Sequence, residues 1–159
     1  MQKTKSYREG TEAEQEFIAL RGSNVVREAN WNENVNEHWD VLDKEFGRVD
    51  VKAAKRKYRN GPVDNTIWWE LKTVKRPHNN KSEKGWGVPN GIDRYIAIKN
   101  DGYFFLVKPE RVIDKINEKC KDYYRGEFGL HTRPTRGDLM TILPLSFLQE
   151  HAEHKLKLA

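Results

Sequence analysis

Charged side chains recur inside segments of this chain that otherwise have the composition of β-strands. Residues 38–72 read HWDVLDKEFGRVDVKAAKRKYRNGPVDNTIWWELK. Val, Ile and Trp favour strands, whereas Asp, Glu and Lys are depleted there and costly to bury. These charged residues therefore need a structural or chemical reason, and the candidates are Asp40, Asp50, Lys52, Glu70 and Lys72.

The length and composition indicate one globular domain. A chain of 159 residues, 36% hydrophobic and 33% charged, is long enough for one domain with a core and too short for two comfortable ones. We expect this domain over residues 1–150 and a flexible tail over residues 151–159. No apolar run approaches the roughly 20 residues of a membrane span, and the polar N-terminus is unlike a signal peptide. With Cys120 as its only cysteine, the chain is expected to be cytoplasmic.

Local patterns predict two helices, one long loop and five strands. Residues 11–21 have helical periodicity and end at Gly22, and Glu14 projects into their apolar stripe beside Phe17. Residues 109–120 predict a helix that starts at a proline, and residues 76–91 predict a long loop. Strands are predicted at 23–30, 37–43, 48–55, 66–74 and 103–108, while residues 91–100 suit either a helical turn or a strand.

The basic residues are concentrated in a few segments of the chain. The formal net charge is +5 and the pI is near 9.2. Such segments are either solvated faces or a groove that follows the phosphates of a nucleic acid, and the charge alone does not separate these two interpretations. In the second interpretation, the residues that contact the nucleic acid are Lys55, Arg56, Lys57, Arg59, Arg133 and Arg136.

Strand alternation allows several of the charged residues to meet. Asp50 and Lys52 share one face of their strand, since side chains alternate between faces. If the strand that contains Asp40 pairs with it as a hairpin in an even register, Asp40 lies on the same face. Neighbouring carboxylates repel one another unless a cation lies between them. Their oxygens suit Mg²⁺, with Mn²⁺ able to replace it, and Mg²⁺ usually takes one or two carboxylates.

This pattern resembles the PD-(D/E)XK, or restriction-endonuclease-like, nuclease superfamily. The matching residues are Glu14 in GTEAEQEF, Asp40 in HWDVL, and Asp50 with Lys52 in VDVKAAK. The resemblance covers roughly residues 10–108, and it lacks the proline before Asp40, where this chain has Trp39. It implies an α/β fold in which helices flank a mixed central β-sheet.

The resemblance also implies roles for individual residues. Asp40, Asp50 and the backbone carbonyl of Val51 would bind the metal, Lys52 would activate water, and Glu14 would support the metal site. A second assignment of the motif remains open, in which Asp50 is the upstream acid and Glu70-Leu71-Lys72 supplies the E-x-K. Glu70 is therefore a further candidate ligand.

The function implied is metal-dependent cleavage of DNA. We expect an endodeoxyribonuclease of homing, restriction or junction-resolving type that acts on double-stranded or branched DNA in a prokaryotic or phage-infected cell. Cutting both strands with one site per domain favours a homodimer or a higher homo-oligomer. The alternative is a non-catalytic nucleic-acid-binding protein on a degenerate nuclease scaffold.

Overall fold

The protein contains α-helices and two β-sheets. A computed structural model describes residues 5–53, 65–74, 82–119, 127–132 and 138–158. The elements in chain order are α1 (Lys5–Arg21), a 3-10 turn (Gly22–Asn24), β1 (Val25–Glu28), a π-helical turn (Glu33–Glu37), β2 (Val41–Asp43), β3 (Gly47–Ala53), β4 (Thr66–Val74), β5 (Ser82–Lys84), β6 (Arg94–Asn100), β7 (Tyr103–Val107), α2 (Pro109–Lys119), β8 (Leu130–Thr132), β9 (Leu139–Pro144), α3 (Leu145–His151) and β10 (His154–Lys157).

These elements divide into two compact units. The first comprises Met1–Ala54, Gly91–Lys108 and Ala152–Ala159, and the second comprises Lys55–Asn90 and Pro109–His151. The chain thus leaves the first unit after β3 and returns to it at β6. The single domain expected over residues 1–150 stays a prediction. Among the described residues, no helix is long and apolar enough to cross a membrane.

A six-stranded mixed sheet forms the first unit. Its strand order is β1-β2-β3-β6-β7-β10, with β3 and β6 parallel and the other neighbours antiparallel. The prediction of an α/β protein with a mixed sheet and flanking helices is therefore confirmed at this level of description. Residues 91–100, which suited either a turn or a strand, supply the strand β6.

Helix α1 covers one face of this mixed sheet. Its Ala13 and Phe17 are fully buried and pack with Val49 and Val51 of β3, and the Phe17 and Phe104 rings meet edge to face at 5.2 Å between centroids. The predicted stripe is thus the buried face of the helix. The helix begins at Lys5 rather than at residue 11, since the helical backbone continues through Gly10 despite the cost of about 1 kcal/mol for an interior glycine. It ends as predicted before Gly22, whose φ is +50°.

The turn between β2 and β3 is tied to the end of α1. Arg21 Nε donates to Asp43 Oδ2 at 2.7 Å, and Asp43 Oδ1 accepts the backbone N–H groups of Glu45 and Phe46. Burial alone would raise the pKa of Asp43, but these hydrogen bonds hold it below its ordinary value. Asp43, the charged residue at the end of β2, therefore stabilises the hairpin turn and binds it to α1.

The C-terminal residues form a strand where a flexible tail was expected. Strand β10 pairs with β7 from His154↔Leu106 to Lys157↔Tyr103, and Leu156 packs against the core beneath α1. The alternation in KLKL at residues 155–158 is the sequence signal for this strand. Its charged residues gave the segment the composition of a solvated tail, but pairing with β7 stabilises it.

The second unit contains a four-stranded antiparallel sheet. Its strand order is β5-β4-β9-β8, and α2 packs with α3 in the same unit. Strand β4 has the predicted bounds, with Ile67, Trp69 and Leu71 more buried than the residues that alternate with them. The loop expected over residues 76–91 contains β5, which pairs with β4 at Lys72↔Lys84.

Two glycines allow the segment after β5 to lie directly against β4. Gly85 N–H donates to the Leu71 carbonyl and Gly87 N–H to the Glu70 carbonyl, both at 2.9 Å, while the Trp69 indole N–H donates to the Gly87 carbonyl at 2.7 Å. A Cβ atom on Gly87 would lie 2.6 Å from the Glu70 carbonyl oxygen and would overlap the Trp69 indole. Only glycine fits this close approach.

Replacing Gly87 with alanine is expected to lower the free energy of unfolding by about 1–3 kcal/mol, because the added methyl group must displace Trp69 or the backbone of β4. The near-ultraviolet circular dichroism of the Trp69–Trp86 pair, whose rings lie 4.8 Å apart, should change with it. Lys84→Ala is the control: its side chain is exposed in the same segment, so this change should leave that signal intact. An unchanged stability and spectrum for Gly87→Ala would contradict the close packing.

Candidate active site

Asp40 lies just before β2, close to Asp50. Val41 pairs with Val49, and the Asp40 N–H also donates to the Val49 carbonyl at 2.9 Å. The Asp40 carboxylate accepts the Val51 N–H at 2.7 Å, so it lies against the backbone of the residue that follows Asp50. Val49 and Val51 face the core beneath α1, so the Asp50 side chain lies on the opposite face of β3. The even register expected between Asp40 and Asp50 stays a prediction.

Both carboxylate oxygens of Asp40 accept a hydrogen bond from an amide. The Val51 N–H donates to Oδ2 at 2.7 Å, and the Asn34 side-chain amide donates to Oδ1. The residue is only 9% exposed. Each carboxylate oxygen keeps a second lone pair, so these bonds orient the group without exhausting its capacity to bind a cation.

The environment of Asp40 favours its neutral form. Burial is the largest cause, and the negative charge of Asp50 is the next, so that the pKa of Asp40 rises from 3.8 to about 8. The Val51 N–H and the charge of Lys52 oppose this rise without overcoming it. A buried acid held at such a pKa next to a second carboxylate is typical of functional sites.

Asp50 lies between two cations. Lys52 Nζ is 3.2 Å from Oδ1, and Arg94 Nη1 is 3.7 Å from Oδ2. Asp50 and Arg94 are almost fully buried, whereas 30% of the Lys52 side chain is exposed. Oδ2 of Asp50 accepts no hydrogen bond from the described residues, which makes it a buried oxygen with capacity for a cation.

Glu14 adds a third carboxylate near this site. It projects from α1 and is half-buried. Burial raises its pKa, the positive charge of Lys52 lowers it, and the charges of Asp50 and Glu28 raise it further, with a net increase. The sequence interpretation of Glu14 as the unusual acid of its helix therefore agrees with its electrostatic coupling to Asp50 and Lys52.

The carboxylate oxygens of Asp40 and Asp50 are of the type that a hard divalent cation prefers, but they do not complete its coordination shell. Among the described residues, no group of three or more His, Cys, Asp or Glu side chains is arranged to hold a metal ion. Mg²⁺ commonly uses one or two carboxylates and completes its octahedron with water and substrate. Asp40 and Asp50 meet that requirement, and the buried Oδ2 of Asp50 provides a suitable oxygen. The Val51 carbonyl stays a predicted ligand.

Glu70 belongs to the second unit. It lies on β4, where its Oε1 accepts the Trp86 N–H at 3.3 Å and its Cγ lies beside Gly85. The first unit brings Glu14, Asp40, Asp50 and Lys52 together without it. Both assignments of the half-motif, and with them the role of Glu70, stay predictions.

The sequence interpretation missed two neighbours of the aspartates. Arg94 is 1% exposed, and only its position at the start of the apolar segment RYIAI suggested burial. Asn34 lies in a polar segment that has no motif. Asp93, directly before Arg94, is an exposed residue that pairs with Lys108 at 2.7 Å. The six residues proposed to contact DNA all lie outside the described residues.

The chain was compared with protein families, curated proteins and solved structures. No family model, curated protein or solved structure matches the chain. The assignment of a function therefore depends on the geometry and electrostatics of the residues around Asp40 and Asp50.

Proposed function

We propose that the protein is a Mg²⁺-dependent endodeoxyribonuclease of the PD-(D/E)XK type. The observation that carries this proposal is the buried pair of acids Asp40 and Asp50, whose charges interact, with Lys52 Nζ 3.2 Å from the Asp50 carboxylate. Helix α1, which carries Glu14 with its raised pKa, packs on the same sheet, and the charges of Asp50 and Lys52 act on Glu14. The residue types at these positions are those of the resemblance found in the sequence.

The reaction proposed is hydrolysis of a DNA phosphodiester. Asp40 and Asp50 would hold the cation, which when bound supplies charge stabilisation at the phosphate and acidifies a water molecule. Lys52, partly exposed and ion-paired with Asp50, would orient the attacking water and offset the developing negative charge. The water oxygen forms a bond to phosphorus, one P–O ester bond breaks, and the products are a phosphate monoester and an alcohol. Glu14, whose pKa is raised, would take up the proton that the water releases.

DNA is the polyanion proposed as substrate. The net charge of +5 supports attraction to phosphates, and the segments around Lys55 and Arg133 carry the clustered basic residues. A homodimer would bring two sites to one duplex. Sedimentation of the protein on cleaved duplex as a monomer would contradict that assembly without affecting the proposed chemistry.

Cleavage assays test the proposed chemistry directly. Supercoiled plasmid and a branched DNA substrate should be nicked by the wild type in Mg²⁺ or Mn²⁺ and left intact in EDTA. Asp50→Ala and Lys52→Ala should each reduce the rate at least about 100-fold, since each removes charge needed only as the phosphate reacts. Lys99→Ala is the matched control, because Lys99 pairs with Glu16 at 2.7 Å instead of with the aspartates.

The rival function has a distinct outcome. A non-catalytic DNA-binding protein would bind these substrates with equal affinity as wild type, Asp50→Ala and Lys52→Ala, and the wild type would cut none of them with either cation. Cleavage that persists in Asp50→Ala would also overturn the proposal, since Asp50 is the acid common to both assignments of the motif.

A further inference from the structure

A rigid polar arm leads from β1 to Asp40. We define this arm as residues 30–38. At its start the Glu33 N–H donates to Asn30 Oδ1 at 2.8 Å and the Asn30 N–H donates to Glu33 Oε1 at 3.0 Å, which is a reciprocal cap. Arg27 on β1 adds two parallel hydrogen bonds to the Glu33 carboxylate, at 2.6 and 2.7 Å. The first turn of the arm is therefore held to the sheet by a bidentate ion pair.

The arm delivers one side chain to the candidate site. Residues Glu33–Glu37 form a π-helical turn, a rare form that often occurs at functional sites. His38 ends it in the left-handed region, with φ of 58°. Asn34, inside this turn, directs its amide to the Asp40 carboxylate Oδ1 and, at 3.4 Å, to the Trp39 carbonyl. The turn therefore allows the Asn34 amide to donate both to the backbone of Trp39 and to the carboxylate of the next residue, Asp40.

We propose that Asn34 is a positioning residue that fixes the Asp40 carboxylate in the orientation required to bind a divalent cation. The inference rests on the proposed function, because it assigns Asn34 a part in that same site. The Val51 N–H holds one oxygen of Asp40 and the Asn34 amide holds the other. With both oxygens held, the carboxylate cannot rotate about its Cβ–Cγ bond, and its remaining lone pairs keep one direction. Without Asn34, only the bond from Val51 restrains the group.

Cation affinity is the measurement that separates positioning from simple structural support. Titration of Mn²⁺ into the DNA-free protein, followed by electron paramagnetic resonance of the free ion, should show binding about 10–100-fold weaker in Asn34→Ala than in the wild type. Asn34→Leu keeps similar bulk without the amide and should lose the same factor. Asn34→Gln keeps the amide and should recover part of the affinity.

The same turn provides the control. Asn36 is exposed, as Asn34 is, but it donates to Asn32 at 2.6 Å instead of to Asp40, so Asn36→Ala should bind Mn²⁺ like the wild type. Circular dichroism of every variant checks that the fold is retained. If Asn34→Ala and Asn34→Leu are folded and bind Mn²⁺ as tightly as the wild type, the positioning role is wrong while the nuclease proposal stands. If the wild type neither binds Mn²⁺ nor cuts DNA, the proposed function fails, and the role of Asn34 fails with it.

Discussion

Asp40→Asn is expected to make the cation-free protein more stable at pH 8 and to remove its cation-dependent cleavage of DNA. At that pH about half of the native Asp40 side chains are ionised, in a buried position that the negative charge of Asp50 also reaches. A neutral amide removes this cost, which we place on the order of 2–4 kcal/mol in the free energy of unfolding. The same change removes a charged oxygen ligand, so activity should fall as stability rises.

The pH dependence has a definite sign. The pKa of Asp40 is raised in the folded protein, to about 8 from 3.8, so the folded state binds the proton more tightly than the unfolded state does. The stabilisation that protonated Asp40 contributes to the folded state is therefore complete below pH 3.8. It is lost as the pH rises towards about 8. The advantage of Asp40→Asn over the wild type should grow between pH 5 and pH 8.

Denaturant unfolding in EDTA at several pH values measures this difference. Asp93→Asn is the control, because the Asp93 side chain is 85% exposed and its replacement should change the free energy of unfolding by no more than about 0.5 kcal/mol. An advantage of Asp40→Asn that stays constant from pH 5 to pH 8 would show that burial and Asp50 do not raise the pKa of Asp40.

Arg94→Met should lower the free energy of unfolding by about 3–5 kcal/mol. The guanidinium is 1% exposed and lies 3.7 Å from the buried Oδ2 of Asp50. Methionine has similar length but no charge, so the change leaves a buried carboxylate with Lys52 as its remaining cation. Removing one partner of a buried ion pair is far more costly than removing an exposed one.

A matched arginine and a double mutant make the prediction specific. Arg48 is the direct neighbour of Arg94 in the parallel β3–β6 register and is exposed, so Arg48→Met should cost less than about 1 kcal/mol. In an Asp50→Asn background, Arg94→Met should cost markedly less than in the wild type, because the charge that it leaves unpaired is absent. Equal costs in the two backgrounds would rule out the coupling between Arg94 and Asp50.

Some elements could be predicted because their signal is local. The bounds of β4 and the helix that starts at Pro109 follow from apolar periodicity and from the preference of proline for a first helical turn. Strand alternation likewise indicated that Asp50 and Lys52 share a face, and their side chains lie 3.2 Å apart. By contrast, β5 and β10 are three- and four-residue strands rich in charge, and only their pairing partners stabilise them.

The sequence by itself determined which residues carry the unusual charges: Asp40, Asp50 and Lys52 interrupt apolar strands, and Glu14 interrupts an apolar helix stripe. The tertiary structure alone decided the contact between the Asp40 carboxylate and the Val51 N–H, the burial that raises the pKa of Asp40, and the approach of Arg94 from a strand 44 positions further along the chain. The physical reason is the separation along the chain of the residues that determine each property. Periodicity and side-chain chemistry are properties of neighbouring residues, whereas burial and electrostatic coupling depend on groups that only folding brings within a few ångströms.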